Sequence, residues 1–272
     1  MPDLIDRRSR AFGLALLANT FPVAGIWLFG WSFTTLFVLY WLDLVTLLLV
    51  YGGCSLFAQR PIVTEERDMR LAWVAEHGRD ESWGDPSRAV HLSEHLPPVY
   101  VQNVRLLVPN LVAGLAFMLA AGGGIVNFTA GYPAGSLQWL SEVAALPTTT
   151  LVGAAVMVGS HCFDAYQSYF GERRYEELSA HMVLEIPFRP ILLLIVASVV
   201  GFVAAVLASL AVNAVVGETA AYWTLVSLGV GGFLLVKLTI EWGRLRAEQT
   251  DEPRGLAAWF TPEDPREGSA TQ

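Results

Sequence analysis

The sequence predicts an all-α fold: a polytopic integral membrane protein, a six-helix transmembrane bundle with both termini cytoplasmic. Three observations predict it. The 272 residues are 54% hydrophobic and only 15% charged, whereas soluble domains carry about 25% charged residues. The mean hydropathy is +0.46, with the charges gathered into a few stretches between long apolar runs. Those runs are continuous, which fits helices; a membrane barrel would show short alternating segments.

Taken in order, the spans are 11–30, 33–57, 105–127, 148–170, 190–216 and 221–240. Each has about 20 residues or more, enough for a hydrocarbon core of about 30 Å at a rise of about 1.5 Å per residue. Residues 1–57 form an N-terminal tail and a hairpin closed at "GWS" (30–32). The opening "MPDLIDRRSRAFGLALLA" has the charge of a signal peptide. No small-x-small cleavage site follows, and the apolar run continues to Phe29, so the first helix is expected to stay. Residues 58–104 form a cytoplasmic segment with helical stretches and a break at "SWGDPSR". Residues 105–240 hold four spans, and 241–272 form an acidic cytoplasmic tail, frayed past Arg254. The connection "TAGYPAGSLQWLSEVAALPT" (129–148) is expected to carry a short interfacial helix with Trp139 near the headgroups.

The cations fix the orientation. Arg7, Arg8 and Arg10 precede span one. Six arginines, from Arg60 to Arg105, lie between spans two and three. Arg173, Arg174 and Arg189 lie between spans four and five. Lys237, Arg244, Arg246, Arg254 and Arg266 end span six or follow it. The other three connections hold none, so all 17 fall on one side. The positive-inside rule makes that side cytoplasmic, in the cell (inner) membrane. A net charge of −8 argues against nucleic acid as a partner, since nucleic-acid binding favours basic patches. The expected partners are the bilayer and a small solute or ion, and a homo-oligomer is compatible with the sequence.

The polar residues inside the spans suggest a site. Asp43 interrupts "LFVLYWLDLVTLLLV" (36–50) near mid-membrane, where a carboxylate costs about 2.5–3.5 kcal/mol on insertion scales. It should face the bundle, protonated or paired. Tyr40 and Thr46, at i−3 and i+3, make a narrow polar stripe with it. His161, Asp164 and Ser168 fall on one helical face of span four, at a depth comparable to Asp43. Arg189, and Lys237 with Glu241 as an i,i+4 pair at a helix end, ring the cytoplasmic mouth. Two readings compete: a polar cavity for an ion, proton or small solute, and a hydrogen-bonded packing network with snorkelling cations.

Enzyme readings are weaker. No cofactor is called for, and a metal site has only His161 and Asp164, with Asp43 as a third ligand, or His91 and His95. "HLSEH" (91–95) matches H-x-x-E-H, but Pro97 and Pro98 cut the needed helix short, leaving a solvated turn. "EERDMR" (65–70) looks like the first motif of intramembrane CaaX-type proteases, yet it lies in a polar loop without that family's later His motifs. Cys54 and Cys162 are expected to be small buried hydrophobes. Trp27, Trp31, Trp41, Tyr222 and Trp223 read as interfacial belts, and the glycines at 122–124 and 229–232 as points of close helix approach. There is no P-loop, Rossmann fingerprint or internal repeat.

The chain resembles a membrane family known as domain of unknown function 6498. The resemblance is carried by "FPVAGIWLFGWSFTTLFVLYWLD" (21–43), with Pro22, Trp31, Tyr40, Trp41 and Asp43. It continues in "SHCFDAYQSYFGERRYEEL" (160–178), "PFRP" (187–190), and "VKLTIEWGRL" (236–245) with its acid Glu241. Segment 58–104 shows no counterpart motif. The resemblance implies a polytopic membrane protein and no particular activity. The expected function is transport or sensing at a cytoplasm-facing polar site, with protonation of Asp43 or His161 coupled to ligand. The alternatives are a metal-dependent membrane enzyme and a structural or assembly protein.

Overall fold

The computed structural model describes residues 13, 16, 19–26, 28–62, 89–94, 96–248, 250 and 253–262. The expected helical stretches within 63–88, with "EERDMR" and "SWGDPSR", lie outside the described residues, as do His95 and Trp27. The described chain is mostly helical. Its α-helices are α1 (Phe33–Ser55), α2 (Val101–Ala130), α3 (Trp139–Ala144), α4 (Thr148–Asp164), α5 (Ala180–Val215), α6 (Glu218–Glu248) and α7 (Leu256–Phe260). Four segments, Thr34–Ser55, Val101–Asn127, Ala180–Val215 and Glu218–Ala247, are long and apolar enough to cross a membrane. Residues 19–26, 28 and 29 are helical too, within the expected first span. α4 runs directly into a π-helical segment, Ala165–Gly171, so 148–171 is helical throughout.

The chain divides into two compact units, Gly25–Phe188 and Arg189–Thr261, each with further residues from the chain ends. In the first, α1 is the central element: 56% of its apolar window is buried, against 28% for α2. Ser32 caps its start by accepting the Thr35 N–H at 3.0 Å, satisfying a donor that has no partner in the first turn. Its C-terminal end is satisfied from outside. The Asn103 amide donates to the Leu56 and Ala58 carbonyls (3.2 and 2.8 Å), and Tyr100 N–H donates to Leu56. Beyond it, Gln59 and Arg60 donate backbone bonds to Tyr175 and Leu178. Leu47, Tyr51 and Cys54 of α1 share a buried cluster with Leu106, Tyr169 and Val183.

Several elements differ from expectation. The all-α reading misses a small antiparallel ladder, β1 (Ala89–Val90) with β2 (Val99–Tyr100). It flanks the exposed turn that holds His91. α5 starts at Ala180, not at 190, and runs through Pro187 and Pro190. Ser179 caps it (Met182 N–H to Oγ, 3.4 Å), and Ala180, Met182, Val183 and Leu184 are buried in the core. That burial outweighs the proline penalty of about 3 kcal/mol. α6 continues to Glu248, and the tail beyond Arg254 is helical at Leu256–Phe260, with Phe260 packed against Gly243.

The glycines split. Gly122 leaves room for the Trp41 indole and Gly123 for Trp139; a Cβ at Gly229, Gly231 or Gly232 would meet nothing within 4 Å among the described residues. Room for rings, and not backbone contact, is what Gly122 and Gly123 provide. Trp41 donates to the Met118 carbonyl (2.7 Å) and meets Trp139 edge-on at 6.2 Å. Trp31 is buried and donates to Thr149. Trp31 and Trp41 are therefore internal, while Tyr222 and Trp223 are exposed. Cys54 is buried, but Cys162 is exposed, contrary to expectation.

Two outcomes follow. Gly122→Ala pushes a methyl into the Trp41 indole and should cost about 1–3 kcal/mol, as overpacking does. Gly124→Ala, with open space around it, should not lower stability; thermal melts of both variants check this. In the connection between α2 and α3, Tyr132 donates to the Glu142 carboxylate, and that bond holds its phenol above the usual value of 10.0. A raised native pKa stabilises below the ordinary value. The contact should persist at neutral pH and loosen only as pH climbs through the raised value. Ultraviolet titration should find one tyrosine moved back toward 10.0 by Glu142→Gln.

Candidate functional site

The site is built on the seam between α1 and α4. Trp31 Nε1 donates to Thr149 Oγ1 at 3.0 Å, and His161 Nε2 meets Asp43 Oδ1 at 2.7 Å. Both pairs are separated by 118 residues of sequence. The two helices therefore run parallel and in constant register over about twelve residues, or about 18 Å. Farther along, the Tyr51 hydroxyl donates to Asp164 Oδ2 at 3.3 Å. Asp43 and Tyr51 are two turns apart on α1; His161 and Asp164 are one turn apart on α4.

The expected residues Asp43, His161 and Asp164 thus fall on one seam. The Asp43 and His161 side chains are 9% and 12% exposed. That is dry enough for their contact to be little screened. Tyr40, one turn before Asp43, is buried as well. Ser168 leaves the expected face, because α-periodicity ends at Asp164. Its hydroxyl donates back to the Asp164 carbonyl at 2.7 Å.

Arg189, Lys237 and Glu241 lie in the second unit. Arg189 donates to the Trp259 carbonyl at 2.7 Å and stacks on its ring at 5.4 Å, tying α7 to α5. Glu241 accepts from Lys237 (2.7 Å) and Arg244 (3.4 Å). Lys237 is 2% exposed. The pair is not at a helix end, since α6 continues past it.

Sequence reasoning missed Tyr51, because a tyrosine eight residues from Asp43 reads as core until α4 is placed beside it. It also missed His181 and Glu185 in the first unit, both fully buried, with Nδ1 2.8 Å from Oε1. Their i,i+4 spacing was legible; the cue that 180–186 is helical was the Ser179 cap before an apolar run. Among the described residues, no group of three or more His, Cys, Asp or Glu is placed to hold a metal ion.

A family model described as "Family of unknown function (DUF6498)" matches residues 1–254. The chain belongs to that family. No curated protein and no solved structure matches it. The family match covers the seam and the Lys237–Glu241–Arg244 cluster.

The Asp43–His161 contact couples substitutions at the two positions. A double-mutant cycle of Asp43→Asn and His161→Gln should give an interaction energy of about 0.6 kcal/mol or more, the average for interhelical polar contacts in membranes. Denaturant unfolding in detergent measures it, and additive effects would show that the two side chains do not meet.

Proposed function

We propose that this is a six-span membrane protein with both termini cytoplasmic, and that the α1–α4 seam is a proton-binding site that couples to transport of a small solute or ion. The observation that carries the reading is the 2.7 Å Asp43–His161 contact inside the bundle. As packing it is a poor bargain. An interhelical hydrogen bond in a membrane contributes about 0.6 kcal/mol on average, while a carboxylate at mid-membrane costs about 2.5–3.5 kcal/mol. Even two such bonds do not offset the carboxylate, so stability alone does not explain Asp43. A histidine–carboxylate pair, by contrast, can hold or release one proton as its surroundings change. Tyr51 and Asp164 extend the same polar face. Location in the cell membrane and the orientation rest on the one-sided cations.

A second reading is favoured by the constant register of the Trp31–Thr149 and Asp43–His161 contacts: the pair fixes the pairing of two helices in a structural or assembly protein. The two readings separate in proteoliposomes with an internal pH-sensitive dye. Asp43→Asn should lower proton flux by roughly tenfold or more, equivalent to about 1.4 kcal/mol on the barrier, in protein that still melts cooperatively. The apolar double substitution Asp43→Leu with His161→Leu should retain the fold and abolish flux. Unchanged flux in Asp43→Asn would leave the packing reading standing.

A further inference from the structure

The π segment changes which side chains α4 presents to α1. On an uninterrupted α-helix, Ser168 would follow His161 and Asp164 on one face. Closure at i→i+5 adds one residue to the turn, and Tyr169 comes to stand one turn beyond Asp164. Tyr169 is 2% exposed and lies in the same buried cluster as Tyr51, Cys54 and Ala165. Phe170 and Tyr175 hold its ring, at 5.2 and 6.3 Å. Its hydroxyl is buried and makes no hydrogen bond among the described residues.

A phenylalanine would fill the same space without a polar atom to satisfy. Buried hydroxyls of this kind are met by ordered water when polar partners are near. Tyr51, bonded to Asp164, supplies them in the same cluster. Residues 171–173, which follow Tyr169 in the chain, are exposed, as are Glu176 and Glu177.

We infer that Tyr169 is a further proton-carrying residue of the seam, joined by bound water to the Tyr51–Asp164 bond, and that the π turn exists to place it there. The inference rests on the seam being the proton site proposed above. The step balances as a relay. In the direction of the observed bond, Tyr51 gives its hydroxyl proton to the Asp164 carboxylate and takes one from the bound water. The water takes the Tyr169 hydroxyl proton, and Tyr169 takes one in turn from solvent hydronium. Each transfer forms one O–H bond and breaks another, so both phenols end neutral.

The test is Tyr169→Phe in the full chain, with Ser168→Ala and Asp43→Asn beside it. Infrared difference spectra in H₂¹⁸O identify bound water, and the proteoliposome assay reads proton flux. The expected result is loss of a water band and a flux lower by roughly tenfold in Tyr169→Phe, with Ser168→Ala unchanged. The melting temperature should fall by about 2–4 °C, because a hydroxyl bonded to water is being removed. Deleting Tyr166, which is 68% exposed, restores α-periodicity with Tyr169 four positions after Asp164 and still on the seam face, so this variant should keep its flux. A Tyr169→Phe protein with its water bands intact, or with wild-type flux, overturns the inference. If Asp43→Asn still lowers flux in that case, only the role of Tyr169 has failed. If Asp43→Asn is also without effect, the proton reading of the whole seam has failed.

Discussion

The first unit depends on the parallel pairing of α1 with α4. Helices that follow one another through a tight turn run antiparallel. Two parallel helices in contact must be joined by longer excursions, and here α2 and α3 intervene. The pairing is held by contacts of different chemistry: an indole on a threonine, a carboxylate on a histidine, a phenol on a carboxylate. Apolar side chains fill the seam between them but set no register, since one leucine packs much like the next. Polar contacts do set register, because a one-turn slip leaves each buried group without its partner. On the proposed reading, the groups that fix the pairing are also the ones that carry the proton.

The end of α1 shows how a short segment outside the spans supports the seam. Asn103, Tyr100 and the strand-like pairing of residues 59–60 with 175–178 satisfy the backbone where the helix stops. They bring the chain on either side of residues 63–98 back to the segment that follows the π turn. Tyr51, Tyr169 and Val183 are thereby enclosed in one cluster. The rings of Phe57, Phe170 and Tyr175 pack beside it. Residues 58–62 and 99–104 thus belong to the folded unit around the seam.

In the second unit, charge is buried by sharing. Glu241 takes both Lys237 and Arg244, and Arg189 spends its charge on a carbonyl and a ring. Phe260 against Gly243 and Trp259 against Arg189 explain why the acidic tail carries a helix where composition alone suggests fraying. Two aromatic anchors within five residues are enough to hold one short turn.

By itself, the sequence determined that the protein is helical and apolar enough for a membrane. It also showed which ionisable residues lie in apolar runs, because hydropathy and the cost of a charge in lipid are properties of composition and spacing. Asp43, His161 and Asp164 were legible for that reason. Tertiary structure alone decided what they meet. Tyr51 and Tyr169 are unremarkable aromatics until α4 lies beside α1. Ser168 leaves the face because a π turn of one extra residue, which no periodicity announces, follows Asp164. The start of α5 at Ala180, through two prolines, was decided by core burial, a sum over distant contacts that outweighs a local penalty. The roles of Gly122 and Gly123 came from two indoles, one 81 positions earlier in the chain and one in α3, which only folding brings to them.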